Sequence, residues 1–322
     1  MDIQILLLLQ EFRNATGGLL NGFFLFMTDL GWSALPFLIT AAVYWSINRK
    51  TGEYILMNIA LSGWLNSLIK LTACVYRPWI RDAAVKPLDS AFALATGYSF
   101  PSGHMANAMA VYGSLAVKNK TNIIFRNMMI AVIVLIGFSR NYIGVHTPQD
   151  VLVSAAAGLF LLWLTLRLER WLAEKDSRDL TFLLILLAVG AASLLYFTFK
   201  AYPMDYADGK LDVDPAAMRL DGYGNVGSLF GFAIGWFLER RFVRFDTNVS
   251  KNCAISRYAT GFLFVLLMYY CAGAVLKLFL PAVPARFFGN MLFVLQLVWL
   301  HPLVFTAWEK NHPEAVGNTA GH

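Results

Sequence analysis

Between Ser139 and Asp150 the chain reads SRNYIGVHTPQD. Arg140 precedes His146 by six residues, and Asp150 follows that histidine by four. A histidine with an acid behind it and an arginine before it has the parts of a nucleophile, an orienting group and an anion clamp. Asp150 can accept the Nδ1 proton of His146, which leaves the other nitrogen's lone pair free to attack. Thr147-Pro148 reads as an N-cap followed by a first-turn proline, so a helix is expected to start there. His146 then sits just outside that helix and Asp150 in its first turn.

Two earlier stretches supply the remaining parts. Lys70 and Arg77 are seven residues apart, about two helical turns, so both cations are expected on one helix face. Pro101-Ser102-Gly103-His104 opens an apolar helical segment. Backbone N–H groups at a helix start bind phosphate, and glycine lets the anion come close. His104 can protonate a leaving oxygen. Lys70, Arg77 and Arg140 all fall at membrane level or just beyond it. Burying one unpaired cation there costs several kcal/mol, so three converging cations call for an anion between them.

In this order, K-x6-R-P, P-S-G-H and S-R-x5-H-x3-D resemble the type 2 phosphatidic acid phosphatase family. That family shares its helical core with vanadium haloperoxidases and glucose-6-phosphatase. Every defining position matches, over residues 66 to 155 or so. The resemblance implies the roles. Lys70, Arg77, Ser102, the Gly103 N–H and Arg140 hold the phosphoryl oxygens. His146 attacks phosphorus and forms a phosphohistidine. His104 protonates the leaving group, then activates water for the second step, and Asp150 orients His146. Fixed cations replace Mg²⁺ in this scheme.

The elements that must position these residues are membrane helices. The chain has 322 residues, 58% hydrophobic and only 14% charged, with a mean hydropathy of +0.56. Soluble domains usually carry about 25% charged residues. An all-α polytopic bundle is expected, with about nine spans: 33–48, 53–76, 103–117, 122–138, 148–166, 180–199, 225–243, 258–280 and 286–308. Residues 3–15 are too short to cross, since a spanning helix needs about 20 apolar residues, and read as an interfacial helix. Residues 18–31 are a second short apolar run, re-entrant or an extension of the first span. Gly227, Gly231 and Gly235 recur every four residues and predict a close helix–helix contact. No linker or internal repeat divides residues 1–322, which read as one domain. Its catalytic core covers about 53–170, and further spans occupy 180–308.

Fifteen of the 26 Lys and Arg fall on the side that holds loops 49–52, 118–122, 167–179 and 240–257 and the C-terminus. The positive-inside rule makes that side cytoplasmic and places all three motifs on the opposite face. The expected location is a bacterial plasma membrane, with the site facing the periplasm or outside. No cleavable signal peptide is read at the N-terminus. The net charge of +6 is accounted for by these loops and does not call for nucleic acid.

Other residues have plainer readings. Cys74, Cys253 and Cys271 lack metal-ligand spacing and read as free thiols, and no His/Cys pattern suggests a metal. No cofactor is expected. His301 reads as a structural histidine, and His312 and His322 lie in the tail. The loop 200–224 carries Asp205, Asp208, Asp212, Asp214 and Asp221 without the spacing of a Ca²⁺ loop, and reads as solvated. Asp29, Asn66 and Trp64 stand where they can line the site.

The expected activity is metal-independent hydrolysis of a lipid phosphate monoester or diphosphate on the non-cytoplasmic face. Candidate lipids are phosphatidic acid, phosphatidylglycerophosphate, an isoprenyl diphosphate or a sphingoid phosphate. Membrane lipids are the other expected partners, and the oligomeric state is open. Two further activities remain open: a glucose-6-phosphatase-like hydrolase of a soluble ester, and a lipid phosphotransferase. A transporter or scaffold without catalysis is disfavoured by the complete set of site residues. A vanadate-dependent haloperoxidase is disfavoured because that resemblance is to soluble proteins.

Overall fold

The computed structural model describes residues 2–316 except 33, 93, 94, 96, 208, 209, 269, 271 and 272. Cys271, His322 and Asp208 lie outside the described residues. Among the described residues the fold is helical apart from one two-stranded hairpin. The helices begin with α1 Asp2–Ala15, α2 Asn21–Leu30, α3 Ala34–Ala42, α4 Arg49–Ala73, and the short α5 Pro78–Arg81 and α6 Asp89–Phe92. Next come α7 Gly103–Ala108 and α8 Ser114–Lys118, joined by a π-helical turn, then α9 Ile123–Tyr142, α10 Pro148–Glu174 and α11 Arg178–Phe199. The strands β1 Tyr206–Ala207 and β2 Lys210–Leu211 pair antiparallel. The chain ends with α12 Pro215–Leu238, α13 Lys251–Leu267, α14 Gly273–Phe279, α15 Ala282–Leu295, α16 His301–Asn311 and α17 Pro313–Val316.

Five helical stretches are long and apolar enough to cross a membrane among the described residues, or six if the bent pair α2 and α3 counts as one span. The segment read as a third span is helical from Gly103 to Lys118, shorter than the roughly 20 residues a bilayer requires. α1 has 14 residues and exposes Leu8 and Phe12.

Contacts divide the chain into two compact units. The first comprises Met1–Pro36, Leu61–Leu164 and Phe197–Gly222. In it, α2 lies against α9 through Phe24, whose ring meets Phe138 and Tyr142. α1 is tied down by Arg13, which donates to the Tyr142 carbonyl at 3.1 Å and to the Lys86 carbonyl at 2.5 Å. The acidic loop is less free than its composition suggests. Tyr76 donates to Asp205, Asp214 accepts from Ala216 N at 2.8 Å at the start of α12, and Met218 packs against Gly97.

The second unit comprises Phe37–Ala60, Thr165–Tyr196 and Tyr223–His322. The four-residue glycine repeat performs as expected there: a Cβ at Gly227 or Gly231 would overlap the carbonyl oxygens of Phe287 and Met291 on α15. His301 is structural, 2.9 Å from the Arg257 carbonyl and edge-on to Trp45 and Phe305. Arg257 and Glu309 form a two-pronged ion pair at 2.6 and 2.7 Å.

Candidate active site

All eight sequence-predicted site residues lie in the first unit. α10 begins as expected. Thr147 caps it, Pro148 is its first residue, and Asp150 Oδ2 accepts from Thr147 N at 2.9 Å while Thr147 Oγ1 faces Asp150 N at 3.4 Å. This is a reciprocal capping box with aspartate in the acidic position. Asp150 Oδ2 also accepts from Ser99 Oγ, and it stands 3.2 Å from His146 Nδ1. Ser99 was not legible beforehand, because no motif spacing singles it out.

His146 closes the turn after α9. Its backbone N bonds the Arg140 carbonyl at 3.3 Å, and its carbonyl accepts from Asn141 Nδ2 at 2.9 Å. Gly144 occupies a left-handed conformation with φ +81°, where a Cβ would come 3.0 Å from Pro87 Cα, so the turn requires glycine. Arg77 Nη1 lies 3.1 Å from His146 Nε2. A guanidinium only donates, so Nε2 carries the lone pair and Nδ1 carries the proton given to Asp150. The two neighbours therefore fix the tautomer in which Nε2 is the free base. Burial, reinforced by the charges of Arg77, Arg140 and Lys70, holds the imidazole's pKa well below its usual value.

Lys70 and Arg77 converge, but not along one helix face. α4 ends at Ala73, Cys74 turns left-handed with φ +49°, and Arg77 is extended before Pro78. The helix expected to residue 76 stops short at the left-handed Cys74, and Pro78 keeps Arg77 extended. The loop returns Arg77 to the site, where it also donates to the carbonyls of Gly97 at 3.1 Å and Val145 at 2.9 Å. Lys70 Nζ donates to the carbonyls of Tyr98, Ser99 and Pro101 at 2.9, 3.3 and 3.0 Å, so this cation clamps the loop leading into α7.

Ser102 caps α7, fully buried, with its N–H bonded to the Asp150 carbonyl at 3.1 Å. A Cβ at Gly103 would meet only ordinary contacts, Trp32 at 3.7 Å and Asn66 at 3.8 Å, so these two side chains flank the helix start without crowding it. The imidazole of His104, the next residue, makes no hydrogen bond among the described residues, and the Trp32 indole stacks on it at 5.4 Å. Arg140 Nη1 donates to Thr28 Oγ1 at 2.8 Å, Thr28 lies 3.0 Å from Ser139 Oγ, and Ser139 donates to the Ile136 carbonyl. Arg140 Nε is buried with no hydrogen-bond partner among the described residues. Of the three extra residues expected to line the site, Asn66 adjoins Gly103, the Asp29 charge acts on Arg140, and Trp64 is half-buried on α4.

Neither Lys70 nor Arg140 pairs directly with a carboxylate among the described residues. Cations so placed, Arg140 buried and Lys70 half-buried, favour an anion among them. Among the described residues no three His, Cys, Asp or Glu side chains converge. The arrangement offers positive charge, an unprotonated imidazole nitrogen and a second imidazole, which suits phosphoryl transfer.

A model of the PAP2 superfamily matches residues 52–174, which hold all three motifs. A second, the transmembrane extension of PAP2 superfamily phosphatases, matches residues 223–312. The chain is 32% identical over 148 residues to phosphatidylglycerophosphatase B of Bacillus subtilis, covering 43% of this chain and 70% of that protein. It is 26% identical over 151 residues to undecaprenyl-diphosphatase of Sulfolobus acidocaldarius, covering 47% of this chain and 71% of that one. No solved structure matches it. With its membrane-spanning helices and its phosphatase-named relatives, the chain belongs to the PAP2 superfamily and is an integral membrane phosphatase.

Proposed function

We propose that the protein hydrolyses the phosphate monoester or diphosphate of a membrane lipid, without a metal, through a phosphohistidine at His146. The observation that carries this reading is the pair of contacts on His146, Arg77 at Nε2 and Asp150 at Nδ1. They hold the ring as a neutral base whose free lone pair faces a cation. An incoming phosphoryl group takes the Arg77 N–H onto its oxygen and exposes Nε2 to phosphorus. Lys70 and Arg140 add charge around the other oxygens, and the Gly103 N–H at the start of α7, which Ser102 caps, donates to them. Nε2 forms the bond to phosphorus as the bond to the leaving oxygen breaks, and that oxygen takes a proton from His104. His104 then takes a proton from water, whose oxygen attacks phosphorus, and inorganic phosphate leaves with His146 restored.

The relatives named for phosphatidylglycerophosphate and undecaprenyl diphosphate favour a lipid over a soluble ester. The skew of Lys and Arg toward loops 118–122, 167–179 and 240–257 supports a site on the non-cytoplasmic face of a bacterial plasma membrane and a cytoplasmic C-terminus. One catalytic domain built on residues 53–170, extended by the C-terminal spans, is part of the same reading. Phosphate release from phosphatidic acids of increasing chain length, phosphatidylglycerophosphate, an isoprenyl diphosphate and glucose 6-phosphate, in one detergent, tests the substrate class. For a tail held in an apolar site, kcat/KM climbs with chain length, each buried CH₂ contributing about 0.8 kcal/mol. Equal or better turnover of the sugar phosphate, with no chain-length trend, would refute the lipid reading.

A further inference from the structure

We infer that Trp32 is a specificity-determining residue, whose exposed indole face packs along the first methylenes of the leaving group. The inference rests on the reading of His104 as the acid for that group. Trp32 lies 5.4 Å from the His104 ring, centroid to centroid, at an interplanar angle of 26°, so one indole face is stacked on the imidazole. The residue is nevertheless 65% exposed. An indole that leaves most of its surface uncovered adds little to the core, since burial is what stabilises a large aromatic.

The chain nonetheless holds this position closely. Asn107 Nδ2 donates to the Gly31 carbonyl at 2.8 Å, and Tyr112 donates to the Leu30 carbonyl at 2.9 Å. Both donors belong to the helical stretch that begins with Gly103 and His104. A Cβ at Gly31 would come 2.9 Å from Ile136 Cγ2 and 3.4 Å from His104 Cβ. The end of α2 can therefore approach α9 and His104 only with glycine at 31, and this approach carries Trp32 over the imidazole. Trp32 and Asn66 flank Gly103 together. A group leaving toward His104 departs past the indole. The chemistry that fits an exposed indole face is an alkyl or isoprenyl chain attached to the ester oxygen.

The test compares kcat/KM for dioleoyl phosphatidic acid with that for acetyl phosphate, on the full chain in detergent. Acetyl phosphate has no chain to pack and a leaving group acidic enough to depart without a proton donor. Covering about two methylenes corresponds to roughly a tenfold preference, so Trp32→Ala is expected to lower the lipid-to-acetyl-phosphate ratio by about tenfold. Trp32→Phe should hold most of the ratio, and Trp32→Gln should fall with alanine. Equal losses on both substrates would mean that Trp32 only supports packing, and an unchanged ratio in all three variants would mean that it meets no substrate. Either result overturns the inference. Failure of the underlying reading shows separately, because His104→Ala would then lower kcat/KM for acetyl phosphate as much as for the lipid.

Discussion

Arg77 donates to Nε2 of His146, 3.1 Å away, the atom that the proposed mechanism needs as its nucleophile. The contact does two things. It assigns the ring proton to Nδ1, beside Asp150, and it keeps a cation where a phosphoryl oxygen arrives. The same guanidinium bonds the Gly97 and Val145 carbonyls, so its position is set by two loops and not by substrate.

Arg77→Lys tests that dual role. An ammonium keeps the charge but cannot span the Gly97 carbonyl, the Val145 carbonyl and Nε2 in one plane. Loss of a charge-assisted hydrogen bond at the reacting centre should lower kcat/KM roughly a hundredfold. Steady-state kinetics check this, and a variant within about threefold of the wild type would refute the guanidinium geometry.

His146 also couples stability to pH. Its folded pKa is depressed by burial and by three cations, so the unfolded chain binds a proton near pH 6.5 that the folded chain refuses. The contribution is present above about pH 6.5 and is lost as pH falls below it. Thermal unfolding in detergent should therefore show the wild type losing more stability from pH 7 to pH 5 than His146→Gln does. Parallel curves would contradict the depressed pKa.

The glycine repeat on α12 yields a stability prediction away from the site. Gly231→Ala forces a methyl group against the Met291 carbonyl and should cost about 2 kcal/mol. Gly22→Ala on α2, where no atom lies within 4 Å of the new Cβ, should be neutral or slightly stabilising. Thermal denaturation of the two variants side by side checks this, and equal midpoints would mean that α12 and α15 are not in close contact.

Much of the site could be read in advance because motif spacing and capping chemistry are local. Thr147-Pro148 marked the helix start, and a four-residue glycine period marked a packed face. Lys70 and Arg77 showed where local reasoning stops. A seven-residue spacing suggested one helix face, yet the left-handed Cys74 breaks the helix between them and Pro78 keeps Arg77 extended. Ser99, Thr28 and Trp32 left no trace in the pattern, since each reaches the site through tertiary contacts with partners 51, 112 and 72 positions away: Asp150, Arg140 and His104. The span count suffered from the same limit. Apolar runs mark segments, but Gly103–Lys118 is too short to cross alone, and its exposure depends on neighbours that composition does not name.

The most direct measurement is a rapid acid-free quench of the protein with ³²P-labelled lipid phosphate, followed by digestion and identification of the labelled residue. Label on His146 is expected at Nε2, stable to base and lost in acid, and absent from His146→Ala. Wild-type turnover by His146→Ala, or label on any other residue, would contradict a phosphohistidine at His146.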